Sequence, residues 1–227
     1  MIFKQLFDKT SSTYTYLISS GINREALIID PVLDNVDEYI KILDGLNLKL
    51  VKVIDTHIHA DHITGMGKLE EKTNCETLMG DKTPIDIISM KIKDGEEINI
   101  DGIKLKALHT PGHTIESFSF AMVDRIFTGD TLLIGSTGRT DFQNGSPYDS
   151  FKSIFNVILK FPGNTLVFPG HDYKGNKSST IDTEKNTNPR LQVKSAEEYA
   201  VIMNNLNLPN PEIMDIAIPR NLKLGKR

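Results

Sequence analysis

The sequence predicts one mixed α/β domain spanning residues 1–227. Three observations carry that expectation. At 227 residues the chain has room for one shared core without splitting. Short β-type runs alternate with segments of helical period along its length. No repeat, low-complexity tract or Pro/Gly-rich linker divides it. Hydrophobic residues at 39% and charged residues at 25% are globular values, sufficient for a packed core.

The elements follow in order. Runs rich in β-branched, aromatic or aliphatic residues at 2–7, 14–18 and 26–29 predict three strands. Val36, Tyr39, Ile40 and Leu43 recur at helical spacing and predict a helix over 36–43, with Gly45 placed to stop it. Residues 49–55 predict a strand, and 61–71 a helix leading away from its end. Further strands are expected at 103–108, 117–123, 125–128 and 165–168, with a turn at Thr110-Pro111-Gly112-His113. A helix is expected over 149–159, a polar loop over 174–188, and a closing helix over 195–206.

Charge and cysteine content narrow the function classes. The balance of 26 basic and 30 acidic residues, net −4, leaves no electrostatic footprint for nucleic acid or an anionic membrane. A small-molecule substrate is expected instead. Cys75 is the only cysteine, so no disulfide forms within the chain and a reducing compartment fits. The N-terminal segment lacks the basic start and apolar run of a signal peptide, and no apolar run is long enough to span a bilayer. A soluble cytoplasmic protein with no membrane partner is the expectation.

All six histidines fall in three short motifs: Thr56-His57-Ile58-His59-Ala60-Asp61-His62, Leu108-His109-Thr110-Pro111-Gly112-His113, and Pro169-Gly170-His171-Asp172-Tyr173. A lone histidine is more often a satisfied polar residue than a ligand, but clustering removes that reading here. Such a density of polar groups in a strand-ending turn is costly to bury, and a bound cation offsets the cost. His57, His59, Asp61, His62, His113, Asp130 and His171 offer imidazole and carboxylate but no thiolate. That set suits zinc, iron or manganese and disfavours a structural cysteine-type zinc site. Each group ends a predicted strand, so residues far apart in sequence can converge at one sheet edge. His109, before Pro111, falls outside the ligand pattern, and Cys75 has no motif around it.

The run His57-Ile58-His59-Ala60-Asp61-His62, followed by His113, Asp130 and His171, resembles the signature of the metallo-β-lactamase superfamily. The resemblance implies an αββα sandwich, the metallo-β-lactamase fold, with metal at one edge. In the hydrolases of that superfamily, His57, His59 and His113 would hold one metal, Asp61, His62 and His171 a second, and Asp130 would bridge them. Over nearly its whole length the chain further resembles the persulfide dioxygenase family, the ethylmalonic-encephalopathy-protein type. The residues carrying this are Gln5-Leu6-Phe7-Asp8, Ser11-Ser12-Thr13-Tyr14-Thr15-Tyr16-Leu17, Phe127-Thr128-Gly129-Asp130-Thr131-Leu132-Leu133-Ile134, Gly138-Arg139-Thr140-Asp141-Phe142-Gln143 and His171-Asp172-Tyr173-Lys174-Gly175. Asn188-Pro189-Arg190 and Asn205-Leu206-Asn207-Leu208-Pro209 extend it.

That second resemblance implies one Fe(II) per chain held by His57, His113 and Asp130, with His59, Asp61, His62 and His171 lining the site. Two histidines and one carboxylate on one face leave the open positions that non-haem iron oxygenases use. The implied reaction takes glutathione persulfide, O2 and water to sulfite and glutathione. His57, His113, Asp130, Asp61 and His171 are its expected catalytic residues, Arg139, Tyr173 and Arg190 its expected glutathione contacts, and a homodimer its expected assembly. Two departures stand out: Gly135-Ser136-Thr137 where the family has Arg-Gly-Cys, and Ile115-Glu116 where Pro-Gly often follows the third ligand motif. The rival reading is a glyoxalase II-like hydroxyacylglutathione thioester hydrolase, using the same seven residues for two Zn(II) ions. A non-enzymatic persulfide sensor or carrier is the third.

Overall fold

The structure is a computed structural model that describes residues 1–226. Two six-stranded sheets pack face to face. The first takes β1 (Ile2–Asp8), β2 (Thr13–Ser19), β3 (Glu25–Ile29), β4 (Lys49–Ile54), β5 (Glu76–Gly80) and β6 (Met90–Ile92) in sequence order across the sheet. Its first three strands are antiparallel and the rest parallel. The second takes β7 (Glu97–Ile100), β8 (Ile103–His109), β9 (Phe118–Ala121), β10 (Arg125–Gly129), β11 (Leu166–Pro169) and β12 (Ser179–Thr180), also in order. Only the β10–β11 pair in it is parallel.

The period of two in the strands sorts side chains between layers. In β2 and β3, Ile18 and Leu27 face the space between the sheets, joining Tyr16, Ile54, Phe118, Phe120 and Phe127. Their neighbours Leu17 and Ile28 face outward instead, against Tyr39 and Leu43 of α1 (Val36–Gly45) and Met66 and Leu69 of α2 (Met66–Thr73). Outside the second sheet, Ile126 and Val167 pack with Ile154, Tyr199 and Met203 around α3 (Pro147–Lys152) and α5 (Ala196–Asn204). The result is the αββα sandwich. Each fully buried large apolar side chain in these layers stabilises the fold by about 1.5–3 kcal/mol.

The chain departs from expectation at several places. The helix expected from residue 61 starts only at Met66. Ahead of it the backbone is engaged elsewhere: Leu33 donates its N–H to the Ile63 carbonyl at 2.8 Å, and Gly65 donates to Pro31 at 2.7 Å. Gly45 is the last residue of α1 rather than its stop, and Asn47, at φ +49°, makes the left-handed turn. The helix expected over 149–159 breaks into α3, a wide π turn at Ser153–Val157 and a tight turn at Ile158–Lys160. The polar loop expected over 174–188 contains α4 (Ile181–Thr187), capped by the Thr180 hydroxyl accepting from the Thr183 N–H. Strands β5, β6 and β7 were not expected, nor was α6 (Met214–Asn221), which follows the helix expected to close the domain.

Candidate metal centre

The centre lies where β4, β8, β10 and β11 end on one edge of the sandwich, which is why the motifs converge. His57 follows β4, His113 sits between β8 and β9, Asp130 follows β10 and His171 follows β11. Close backbone approach makes glycine necessary before two of these residues. A Cβ on Gly112, at φ +138°, would lie 2.3 Å from the Ser150 backbone, and one on Gly129, at φ +49°, would lie 2.6 Å from the Thr56 hydroxyl.

One donor atom each from His57, His113 and Asp130 lies within 4.8 Å of the others. The hydrogen bonds behind the rings fix which nitrogen faces inward. Thr56 uses its hydroxyl hydrogen on the Asp30 carboxylate at 3.0 Å, so its oxygen accepts from His57 Nδ1–H at 2.9 Å. His113 Nδ1–H donates to the Arg139 carbonyl at 2.8 Å. Both rings therefore present an Nε2 lone pair, as metal-ligating histidines do. His113 Nε2 stands 3.6 Å from Asp130 Oδ2. Burial pushes His57 well below the usual histidine range, which keeps it neutral and able to ligate. Burial alone would raise Asp130, but His171, then His113 and His57, hold its carboxyl below the usual range.

His59, Asp61, His62 and His171 form a second group. His171 is gripped at both ends, by Asp130 Oδ1 at 2.6 Å from Nδ1 and Asp61 Oδ2 at 2.7 Å from Nε2. Burial works against its charged form, but these two carboxylates outweigh that and raise it well above the usual range. The Thr13 hydroxyl lies 3.0 Å from the same Nε2 and 3.3 Å from His62 Nδ1. His59 Nε2 faces Asp30 at 3.3 Å; burial opposes its charge, yet Asp30 lifts it to about 9. His59 Nδ1 and His62 Nε2 are buried with no partner among the described residues. His59, Asp61 and His62 are themselves spaced to share an ion. Orphaned nitrogens beside carboxylates, in a set with no thiolate, fit a divalent cation.

A cleft of about 200 Å³ opens over His113, Asp130 and His171 and is walled by Leu133, Phe142, Tyr173 and Arg190. Arg190 reaches the Thr137 carbonyl and hydroxyl with Nη1 and has no carboxylate partner among the described residues. Tyr173 is 73% exposed, with its ring parallel to His171 at 6.1 Å. Arg139 lines the cleft too, but its donors are committed: two to Asp141 at 2.6 Å each, others to the Pro209 and Leu208 carbonyls. It straps the 208–209 segment along the cleft wall. His109 stays outside, donating to the Ile115 carbonyl.

Comparison with known proteins shows the family. The sequence model of the metallo-β-lactamase superfamily matches residues 9–84 and 79–171. The mouse mitochondrial persulfide dioxygenase ETHE1 is 40% identical over 99% of this chain and 89% of its own length. The crystal structure of ETHE1 from Myxococcus xanthus superposes with a TM-score of 0.97 at 46% identity, covering 100% of both chains. The chain belongs to the metallo-β-lactamase superfamily and, within it, to the persulfide dioxygenase family. A hydroxyacylglutathione hydrolase from Dictyostelium discoideum is more distant, 32% identical over 70% of this chain and 62% of its own.

Within this persulfide dioxygenase-family enzyme, the two departures acquire structural roles. Glu116 is buried, and its carboxylate accepts the Ile58 N–H at 3.1 Å, bracing the peptide between His57 and His59. Gln143 holds the carbonyl of the same residue at 2.8 Å. Thr137, where the resemblance implies a cysteine, accepts from Tyr199 at 3.1 Å while its carbonyl takes Arg190. Sequence reasoning missed Asp30, which accepts from the Thr56 N–H at 2.7 Å as well as from its hydroxyl. Hydrogen bonds to a charged group of this kind contribute about 1.5–3 kcal/mol each. An acid ending the apolar run Ala26-Leu27-Ile28-Ile29, as Asp55 and Asp130 end theirs, was the available signal.

Proposed function

We propose that the chain oxidises glutathione persulfide with O2 and water to sulfite and glutathione, releasing two protons, at a single Fe(II). The carrying observation is the triangle of His57, His113 and Asp130 opening on the cleft beneath Arg190 and Tyr173, in a chain of this family. When bound, Fe(II) supplies open coordination positions at which a sulfur donor and O2 meet. The protein does the rest. Thr56 and the Arg139 carbonyl hold the two rings in the tautomer that ligates. Arg190, the cleft arginine without a carboxylate partner among the described residues, suits a glutathione carboxylate, and Tyr173 offers its ring and hydroxyl at the mouth. Phe142 and Leu133 make part of the wall apolar, restricting water around the reacting sulfur. The cytoplasmic setting we assign rests on composition, with one buried cysteine; no helix among the described residues is long and apolar enough to cross a membrane.

A second reading has one observation in its favour. The unpartnered His59 Nδ1 and His62 Nε2 would suit a second ion, as in a dinuclear hydroxyacylglutathione hydrolase with Zn(II). Against it, both His171 nitrogens engage carboxylates instead of facing that position. Metal analysis with an oxygen electrode separates the two. One iron per chain, with O2 uptake and sulfite release over many turnovers of glutathione persulfide, is expected. Two zinc ions per chain with thioester cleavage and no O2 uptake would establish the hydrolase instead, and a single stoichiometric binding event would establish a carrier.

A further inference from the structure

The stretch from His59 to Thr64 supplies three of the seven clustered metal-type side chains and lies outside every helix and strand, with one isolated β-bridge, from Thr64 to Val32, at its far end. Its backbone is held from a distant part of the chain. Asn221, the last residue of α6 and only 3% exposed, donates from Nδ2 to the His59 and His62 carbonyls, both at 2.8 Å. Its Oδ1 accepts the Thr64 N–H at 2.9 Å. Both amide hydrogens and the amide oxygen are thus engaged on one six-residue loop. The segment after α6 is locked to the same place: Leu224 enters the outer core, Gly67 donates to its carbonyl at 2.9 Å, and Gly225, at φ +77°, passes so close to the Thr64 carbonyl that a Cβ would lie 2.1 Å from it.

We infer that Asn221 is a positioning residue for the metal centre, coupling the last helix to metal retention. The route is a chain of direct contacts: Asn221 fixes the loop, the loop places Asp61 on His171 Nε2, and His171 Nδ1 holds Asp130 Oδ1. Only a carboxamide can donate to two carbonyls and accept from an N–H at that point; a carboxylate of the same size would face both carbonyls without a hydrogen to give. The inference rests on a cation binding at this centre and is independent of whether persulfide is oxidised there.

The test uses the full chain loaded with Co(II), whose visible bands report ligand geometry. Asn221→Asp and Asn221→Ser should each release Co(II) to a chelator at least about tenfold faster than the parent and shift its visible bands. Release within twofold of the parent in both would overturn the inference, even if the metal-free variants melt lower. A reciprocal measurement needs no variant. Coupling is symmetric, so Co(II) loading of the parent chain should slow amide exchange across residues 214–221, which hold no ligand. Unchanged exchange there would equally overturn it. Failure of the parent to bind Co(II) would instead count against the metal centre itself.

Discussion

The two halves of the centre are built from the same residue types and arranged oppositely. In the half formed by His57, His113 and Asp130, each ring is tied from behind, by Thr56 or by the Arg139 carbonyl, so its inward nitrogen is left with a lone pair. In the half formed by His59, Asp61, His62 and His171, carboxylates hold the rings: His171 lies between two of them, His59 faces Asp30, and His62 faces Asp61, while His59 Nδ1 and His62 Nε2 have no partner among the described residues. Ligand capacity is thus set less by which residues are present than by what stands behind them. A set whose partners are backbone carbonyls and hydroxyls is preorganised for a cation. In the other, the carboxylates bind both nitrogens of His171 and leave only His59 and His62 with a nitrogen to spare.

The sharpest break in this comparison comes from removing one ring from each half. His113→Ala should abolish iron binding and O2 consumption together. His62→Ala should leave one iron per chain in place and alter turnover only. Metal analysis of the two purified variants decides it, and equal loss of iron from both would show that the halves act as one ligand set.

The tie behind the ring comes next. Thr56→Val keeps the shape of the side chain but removes the oxygen that accepts from His57 Nδ1–H and the hydroxyl that donates to Asp30. Metal affinity should fall about 10–100-fold by chelator competition, the usual cost of losing such a partner. Unchanged affinity would mean that the tautomer of His57 is fixed by something other than Thr56.

These supporting residues also mark the limit of what could be read from sequence. The candidate ligands stood out in the sequence because all six histidines fall in three short motifs. The long apolar runs of β2, β3 and β4 were legible for a similar reason: their pattern repeats over several residues. Asp30, Thr56 and Asn221 were not, since a single polar residue beside an apolar run has no period and only the fold shows what it touches. The same physics hid α4. Its Asp182, Thr183, Asn186 and Thr187 are weak helix formers, and a Thr180 cap with buried Ile181 and Glu184 holds it. The expected helix from Asp61 failed because tertiary hydrogen bonds, including those from Asn221, claimed the loop backbone first.

At the cleft the comparison extends to two arginines that sequence treated alike. Arg139 is held by Asp141 and two carbonyls, whereas among the described residues the Arg190 side chain hydrogen-bonds only Thr137. Arg190→Ala should raise KM with iron content unchanged, costing about 10–100-fold in kcat/KM if one charge-assisted hydrogen bond of about 1.5–3 kcal/mol is lost. Arg139→Ala should instead lower Tm, because it releases the 208–209 strap. Reversal of these two outcomes in steady-state kinetics and thermal melts would reassign the glutathione contact to Arg139.

The smallest effect is expected at the outer end of the carboxylate-held half. The Asp8 carboxylate accepts from the Ser11 N–H and hydroxyl, both at 2.7 Å, and from Asn35 at 3.1 Å. Ser11 contacts the Thr13 hydroxyl at 2.7 Å, and Thr13 reaches His171 at 3.0 Å. Partial burial would raise Asp8, but the hydrogen bonds from Ser11 and then Asn35 hold it below its ordinary value. A depressed carboxyl binds its proton less readily in the folded state than in the unfolded one, so its stabilisation is present above the unfolded value near pH 4 and disappears as pH falls through the lower folded value. Solvent screening at this half-exposed site limits it to less than about 1 kcal/mol. The stability difference between the parent and Asp8→Asn, measured by urea unfolding, should therefore be steady from pH 7 to pH 5 and shrink below pH 4. A difference that instead grew on acidification would show that the charge at Asp8 opposes the loop it holds.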